Sequence, residues 1–230
     1  MDYSTIQKNK ELRAQSRIQL KGVWGKMALA VFIYTVIIYT SLFLFTDFKS
    51  DYVRNPLQNP ILDLIFTIAA NIVSGPFALG FTILFMNRIR EKEVSLKNIF
   101  EGFKSFPKSF LLLLLQFIFV FLWSLLLIVP GIIKALSYSM CFYILNDNPG
   151  MKPIDAINKS KVMMKGYKGK LFLLGLSFIG WYLLGILTLG IGYFWLTPYV
   201  GLSMANMYEN LKQNQEKAAA GNNSPEEKSE

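Results

Sequence analysis

The long apolar runs set the terms on which this chain can fold. Met27 to Phe45 carries no charge, and neither do Phe110 to Val129 or Leu171 to about Leu187. Ile61 to Met86 holds a single ionisable residue, Asp63, near its start. About 20 such residues in a helix cross a hydrocarbon core about 30 Å thick. A helix also satisfies its own backbone N–H and C=O groups, which hydrocarbon cannot do. Two shorter runs, Ile132 to Leu145 and Tyr193 to Tyr208, bring the expected total to about six spans. The predicted fold class is all-α, a polytopic membrane helical bundle. Its expected parts are a basic N-terminal segment 1–26, a membrane domain 27–208 and a disordered polar tail 209–230.

Composition agrees. Of the residues, 53% are hydrophobic and 17% charged, against about 25% charged in an ordinary soluble domain. There is no histidine and one cysteine, Cys141. That removes histidine acid–base chemistry, histidine metal sites, zinc clusters and an internal disulfide. Cys141 lies in an apolar run and reads as a packing residue. No paired carboxylates, phosphate loop or Ser–Lys constellation stands in a suitable place, so the expectation is a protein without enzymatic activity, metal or cofactor.

The net charge of +9 would suggest nucleic acid in a soluble protein. Here the basic residues flank the apolar runs, which points to topology instead and to no nucleic-acid partner. Segments 87–109 and 146–170 are rich in lysine and arginine, whereas 47–60 is balanced and the turns after the third and fifth runs are nearly neutral. Alternation of this kind predicts both termini in the cytoplasm. No small-residue cleavage site follows the first run, so it reads as a retained span.

A short pattern recurs before the odd-numbered spans. Leu20-Lys21-Gly22-Val23-Trp24-Gly25-Lys26, Phe103-Lys104-Ser105-Phe106-Pro107-Lys108 and Met164-Lys165-Gly166-Tyr167-Lys168-Gly169-Lys170 each set lysines around a small residue and an aromatic. Upstream of the second, Leu96, Ile99, Phe100 and Phe103 fall on one helical face, with Ser95 as a candidate N-cap. Pro153 is placed to open a similar helix, and residues 11–20 give a weaker version. The pattern predicts three hairpin units, about residues 11–90, 94–148 and 152–212, each with a cytoplasmic amphipathic helix, a basic–aromatic hinge and two spans.

Few groups inside the spans carry chemistry. Asp63 and Lys134 lie near the ends of their spans away from the hinges, where they can snorkel or pair with each other. Gly75-Pro76 at mid-span reads either as a broken helix of the kind transporters use or as a proline kink satisfied by neighbours. Polar residues such as Ser203 and Asn206 suit inter-helix hydrogen bonds.

Several strings carry a family likeness: Ile128-Val129-Pro130-Gly131-Ile132-Ile133-Lys134, Asp147-Asn148-Pro149, Ala156-Ile157-Asn158-Lys159-Ser160 and Gly192-Tyr193-Phe194-Trp195-Leu196-Thr197-Pro198-Tyr199. Together they resemble a family of bacterial integral membrane proteins known as domain of unknown function 975. The resemblance implies a multi-pass protein of the bacterial cell membrane and brings no activity with it.

Two functions stay open. The lysines Lys21, Lys26, Lys104, Lys108, Lys165, Lys168 and Lys170 are candidates to hold lipid phosphates at an anionic leaflet. Asp63, Gly75, Pro76 and Lys134 are the candidates if the protein is a small-solute transporter or channel. An accessory role beside a membrane-protein partner, and assembly with a second copy, are left open as well.

Overall fold

In a computed structural model the backbone is described for residues 6–52 and 60–221, and the side chains for 6–38, 40 and 73–220. Among these residues the regular structure is helical throughout, with no strand. The helices are α1 (Asn9–Leu20), α2 (Trp24–Tyr52), α3 (Pro60–Ile89), α4 (Asn98–Glu101), α5 (Phe106–Leu126), α6 (Ile128–Tyr138), α7 (Cys141–Asp147), α8 (Pro153–Met163), α9 (Lys168–Leu176), α10 (Ile179–Leu187) and α11 (Tyr193–Gly221). A 3₁₀ turn, Gly102–Ser105, joins α4 to α5.

Three stretches are long and apolar enough to cross a membrane: Asn98–Leu126, Ile128–Asp147 and Lys168–Leu187. A fourth is added if α1 and α2 as far as Ile38, bent by 94° at residues 21–23, act as one. The protein thus carries three to four candidate membrane-spanning helices. The first two predicted spans run partly through side chains 41–72, outside the described residues.

Several boundaries differ from those expected. The third and fourth spans part at Leu127, whose backbone is extended, and not at Pro130-Gly131. Pro130 fits inside the first turn of α6, where its missing N–H costs nothing. The fourth span is longer than its apolar run suggested because it begins at Ile128 and continues past a break at 139–140 into α7. The fifth span is likewise interrupted, between Leu176 and Ile179. The stripe from Leu96 to Phe103 splits: Ile99 is buried while Phe100 faces out. Ser95 begins a turn there, its N–H donating to the Asn98 side chain at 2.8 Å.

Residues 209–221 are helical, an extension of α11 rather than a separate tail. Residues 222–230 lie outside the described residues. The sixth predicted span does not meet the hydropathy of a crossing helix. Its environment explains why. From Pro198 to Leu211 no residue of α11 is exposed, because α1, α2, α3 and α10 pack around it. A helix shielded from lipid by other helices can carry Ser203, Asn206 and Asn210. α5 and α10, by contrast, expose large apolar side chains such as Phe117 and Leu183, as helices that face lipid would.

The short helices do not lie loose on the bundle. α4 packs on α3, α8 on α7, and α1 on α11. The α3–α4 contact is close enough to demand glycine: a Cβ on Gly80 would come 1.9 Å from the Ile99 carbonyl oxygen. One on Gly102 would lie as near, 1.9 Å, to that of Pro76.

Candidate functional site

Two of the three lysine hinges share one backbone geometry. At the first, α1 ends at Leu20 and α2 starts at Trp24, with Gly22 at φ +78°. At the third, α8 ends at Met163 and α9 starts at Lys168, with Gly166 at φ +88°. A shift of 144 residues, as from Gly22 to Gly166, carries one set of hydrogen bonds onto the other. Lys21 N–H donates to Ile18 O and Lys165 N–H to Val162 O, each at 3.1 Å. Val23 N–H reaches Leu20 O at 3.0 Å, as Tyr167 N–H reaches Met164 O at 3.2 Å. Met27 N–H to Val23 O matches Leu171 N–H to Tyr167 O, at 3.0 and 3.1 Å.

Burial follows the same shift. Leu12 and Ala156, Ser16 and Ser160, and Leu20 and Met164 are all buried. Ser160 Oγ donates to Ser137 O at 2.8 Å and accepts from Met140 N–H at 3.2 Å, satisfying the break between α6 and α7. Ser16 Oγ accepts from Ser203 Oγ and Asn206 Nδ2, each at 3.0 Å, and so ties α1 to α11. Gln19 completes that seam through paired amide bonds to Asn206 at 2.7 and 3.2 Å.

One residue before each hinge turns outward. Ile18 is 64% exposed and Val162 63%; in the middle unit Phe100, at 46%, stands 82 positions after Ile18. Three or four residues later come the exposed lysines Lys21, Lys165 and Lys104. Each lysine therefore follows its apolar neighbour closely in the turn that ends the short helix. Lys26 is exposed too, and Lys168 partly so. Among the described residues no carboxylate lies within ion-pair distance of these five lysines. The remaining two hinge candidates have structural work. Lys108 Nζ donates to the Pro149 carbonyl. Lys170 Nζ donates to Ile6 O at 2.9 Å, fastening the start of the chain to α9.

The transport candidates do not gather. α3 runs unbroken through Gly75 and Pro76, and a Cβ on Gly75 would come 2.8 Å from the Ser109 carbonyl oxygen. The pair therefore makes a close helix crossing and not a gap in the helix. Lys134 Nζ sits 4.2 Å from the centre of the Trp123 ring, a cation–π contact that occupies it. The Asp63 side chain lies outside the described residues.

Sequence reasoning missed the charge cluster where α3, α7 and α11 converge. Arg90, just after α3, forks onto Asp147 with two bonds of 2.8 Å and reaches Glu209 at 3.1 Å. Lys212 bonds Asp147 at 2.7 Å and the Tyr208 hydroxyl donates to it at 3.1 Å. Asp147 is only 7% exposed. Its hydrogen bond, supported by Glu209, holds the Arg90 guanidinium protonated far above its ordinary range, against the opposing effect of burial. With two cations and two carboxylates the cluster neutralises itself, which suits a fastening better than a ligand site. Its one signal in the sequence is Asp147-Asn148-Pro149, an acidic residue closing an apolar run.

The profile of a family described as proteins of unknown function, DUF975, matches residues 1–137 and 125–215. The chain belongs to this family. No curated protein and no solved structure matches it. DUF975 membership agrees with apolar helices that could span a membrane and assigns no activity, so function rests on the geometry of the hinges.

Proposed function

We propose that this DUF975 protein is a non-enzymatic membrane protein that binds anionic lipid headgroups through its lysine hinges. The observation that carries this reading is the threefold recurrence of an exposed apolar residue followed by an exposed, unpaired lysine: Ile18 with Lys21, Phe100 with Lys104, Val162 with Lys165. The apolar member enters the acyl boundary and the lysine meets the phosphate. Each lysine near an anionic leaflet contributes about 1 kcal/mol. The reading places six spans in three hairpins, with hinges and both termini on the cytoplasmic side of a bacterial cell membrane. The order of packing supports the hairpins, since each short helix seats on the second span of another unit and the last, α1 on α11, closes the ring.

A transporter is the second reading. Among the described residues no charged side chain lines the cavity between α2, α3, α10 and α11, which disfavours an ion-coupled solute.

Thermal unfolding of the purified protein tests the lipid reading, since a ligand bound only by the folded state stabilises it. Phosphatidylglycerol raises the midpoint by several degrees more than phosphatidylcholine. Replacing Lys104, Lys165 and Lys168 together with Gln abolishes that difference. An equal response to both lipids in the wild type, or a preference that survives the triple change, overturns the reading.

A further inference from the structure

Between α2, α3, α10 and α11 lies a cavity of about 890 Å³, within the usual range for small-molecule sites. Tyr34, Phe81, Phe85, Tyr193 and Phe194 supply rings to its wall, and among the described residues no charged side chain joins them. The 188–192 turn, at the end of the bundle away from the hinges, closes one side with Leu189, Gly190 and Ile191.

That turn is built for hydrocarbon. Leu189 is 95% exposed and Ile191 59%, and the segment carries no charge. Every N–H from Thr188 to Tyr193 finds a partner inside the turn. Leu189 donates to Ile186 O at 2.9 Å, Gly190 to Gly185 O at 3.0 Å, and Gly192 to the Thr188 hydroxyl at 2.9 Å. Thr188, Ile191 and Tyr193 reach Leu184, Thr188 and Gly190 carbonyls at 3.1 Å. Internally paired N–H groups suit a segment in lipid, where no water can accept from them.

A second feature marks the same edge. The turn is a helix C-cap in which the left-handed residue, usually glycine, is Leu189 at φ 53°. Leucine there bears a Cβ clash that glycine avoids, a cost in stability. The cost leaves a large apolar side chain at the lip of the cavity.

We propose that the cavity takes the hydrocarbon chain of a membrane lipid, which enters past Leu189 and Ile191 from the leaflet opposite the lysine hinges. A charged solute finds no counter-charge among the described residues of the lip and lining. The hinge lysines play no part in this site, so it stands apart from headgroup binding at the other end.

The test is photolabelling of the full chain in liposomes by phosphatidylcholine with a diazirine at mid-tail, mapped by peptide mass spectrometry. Phe85, only 6% exposed, and Tyr34 take label at no less than half the level of lipid-facing Leu183. Filling the cavity by Thr197→Trp lowers the Phe85 and Tyr34 signals at least fivefold and leaves Leu183 unchanged. Label confined to lipid-facing positions in the wild type overturns the proposal even if the variant does not fold. So does cavity label that persists in a folded Thr197→Trp protein.

Discussion

At residues 21–23 and 165–167 the chain leaves a helix, passes through a left-handed glycine and starts another helix; at 102–105 it passes from α4 to α5 through a 3₁₀ turn with no left-handed residue. The lysine pattern is common to all three places. The residue after the first lysine is Gly22, Gly166 or Ser105. Serine pays the Cβ penalty of the left-handed region and glycine does not. Ser105 accordingly stays at φ −113°, and the chain runs on through a 3₁₀ turn into α5. α1 and α2 meet at 94°, whereas Asn98–Leu126 counts as one continuous stretch. One Cβ separates a hinge that folds back from one that carries straight on. The middle unit's short helix must then find its seat by direct backbone contact, which is why Gly80 and Gly102 are needed there.

The largest expected effect tests whether α3, α7 and α11, taken as packing units, are fastened by charge at all. Asp147→Ala removes the carboxylate shared by Arg90, Lys212 and Tyr208. Breaking a buried pair costs about 3–5 kcal/mol. Arg90 and Lys212 are partly exposed and regain water, so a loss near the lower limit, about 3 kcal/mol, is expected in detergent unfolding. A loss below about 1 kcal/mol, the range of exposed pairs, would mean that the units stay together through apolar packing alone.

Next in size is the contrast between the hinges themselves. Gly166→Ala forces a Cβ into the left-handed region and costs about 1–2 kcal/mol, and Gly22→Ala the same. At Gly22 the backbone conformation alone carries the cost, since a Cβ there meets nothing within 4 Å. Ser105→Ala stays within about 0.5 kcal/mol, as for an ordinary surface change. Equal effects at all three positions, read from unfolding midpoints, would erase the distinction.

Much of this was legible in the letters. The lysine hinges, the opening of α8 at Pro153, the burial of Cys141 and the inter-helix role of Ser203 and Asn206 all follow from local pattern. The Arg90–Asp147–Glu209 cluster was not, because its members stand 57 and 119 residues apart and no periodicity links them. Residues 209–221 misled for a related reason. Their polar composition describes a solvated tail equally well until Leu211 is seen buried and Lys212 paired with Asp147. Gly75-Pro76 misled in the opposite direction: the pair looks like a break in isolation and becomes a crossing point once Ser109 is placed against it.

The smallest effect separates two serines that the 144-residue shift makes equivalent. Ser160→Ala strips the side-chain support from the Met140 N–H and Ser137 O at a helix break, and an unsatisfied buried backbone group costs about 1–3 kcal/mol. Ser16→Ala leaves Ser203 its bond to Tyr199 O at 2.9 Å and leaves Asn206 its bonds to Gln19. Its cost is therefore that of one net hydrogen bond, about 0.5–1.5 kcal/mol. If Ser16 proved the costlier of the two, α1 would be held to the bundle mainly by that seam. The first unit would then depend on its polar contacts where the third depends on its backbone.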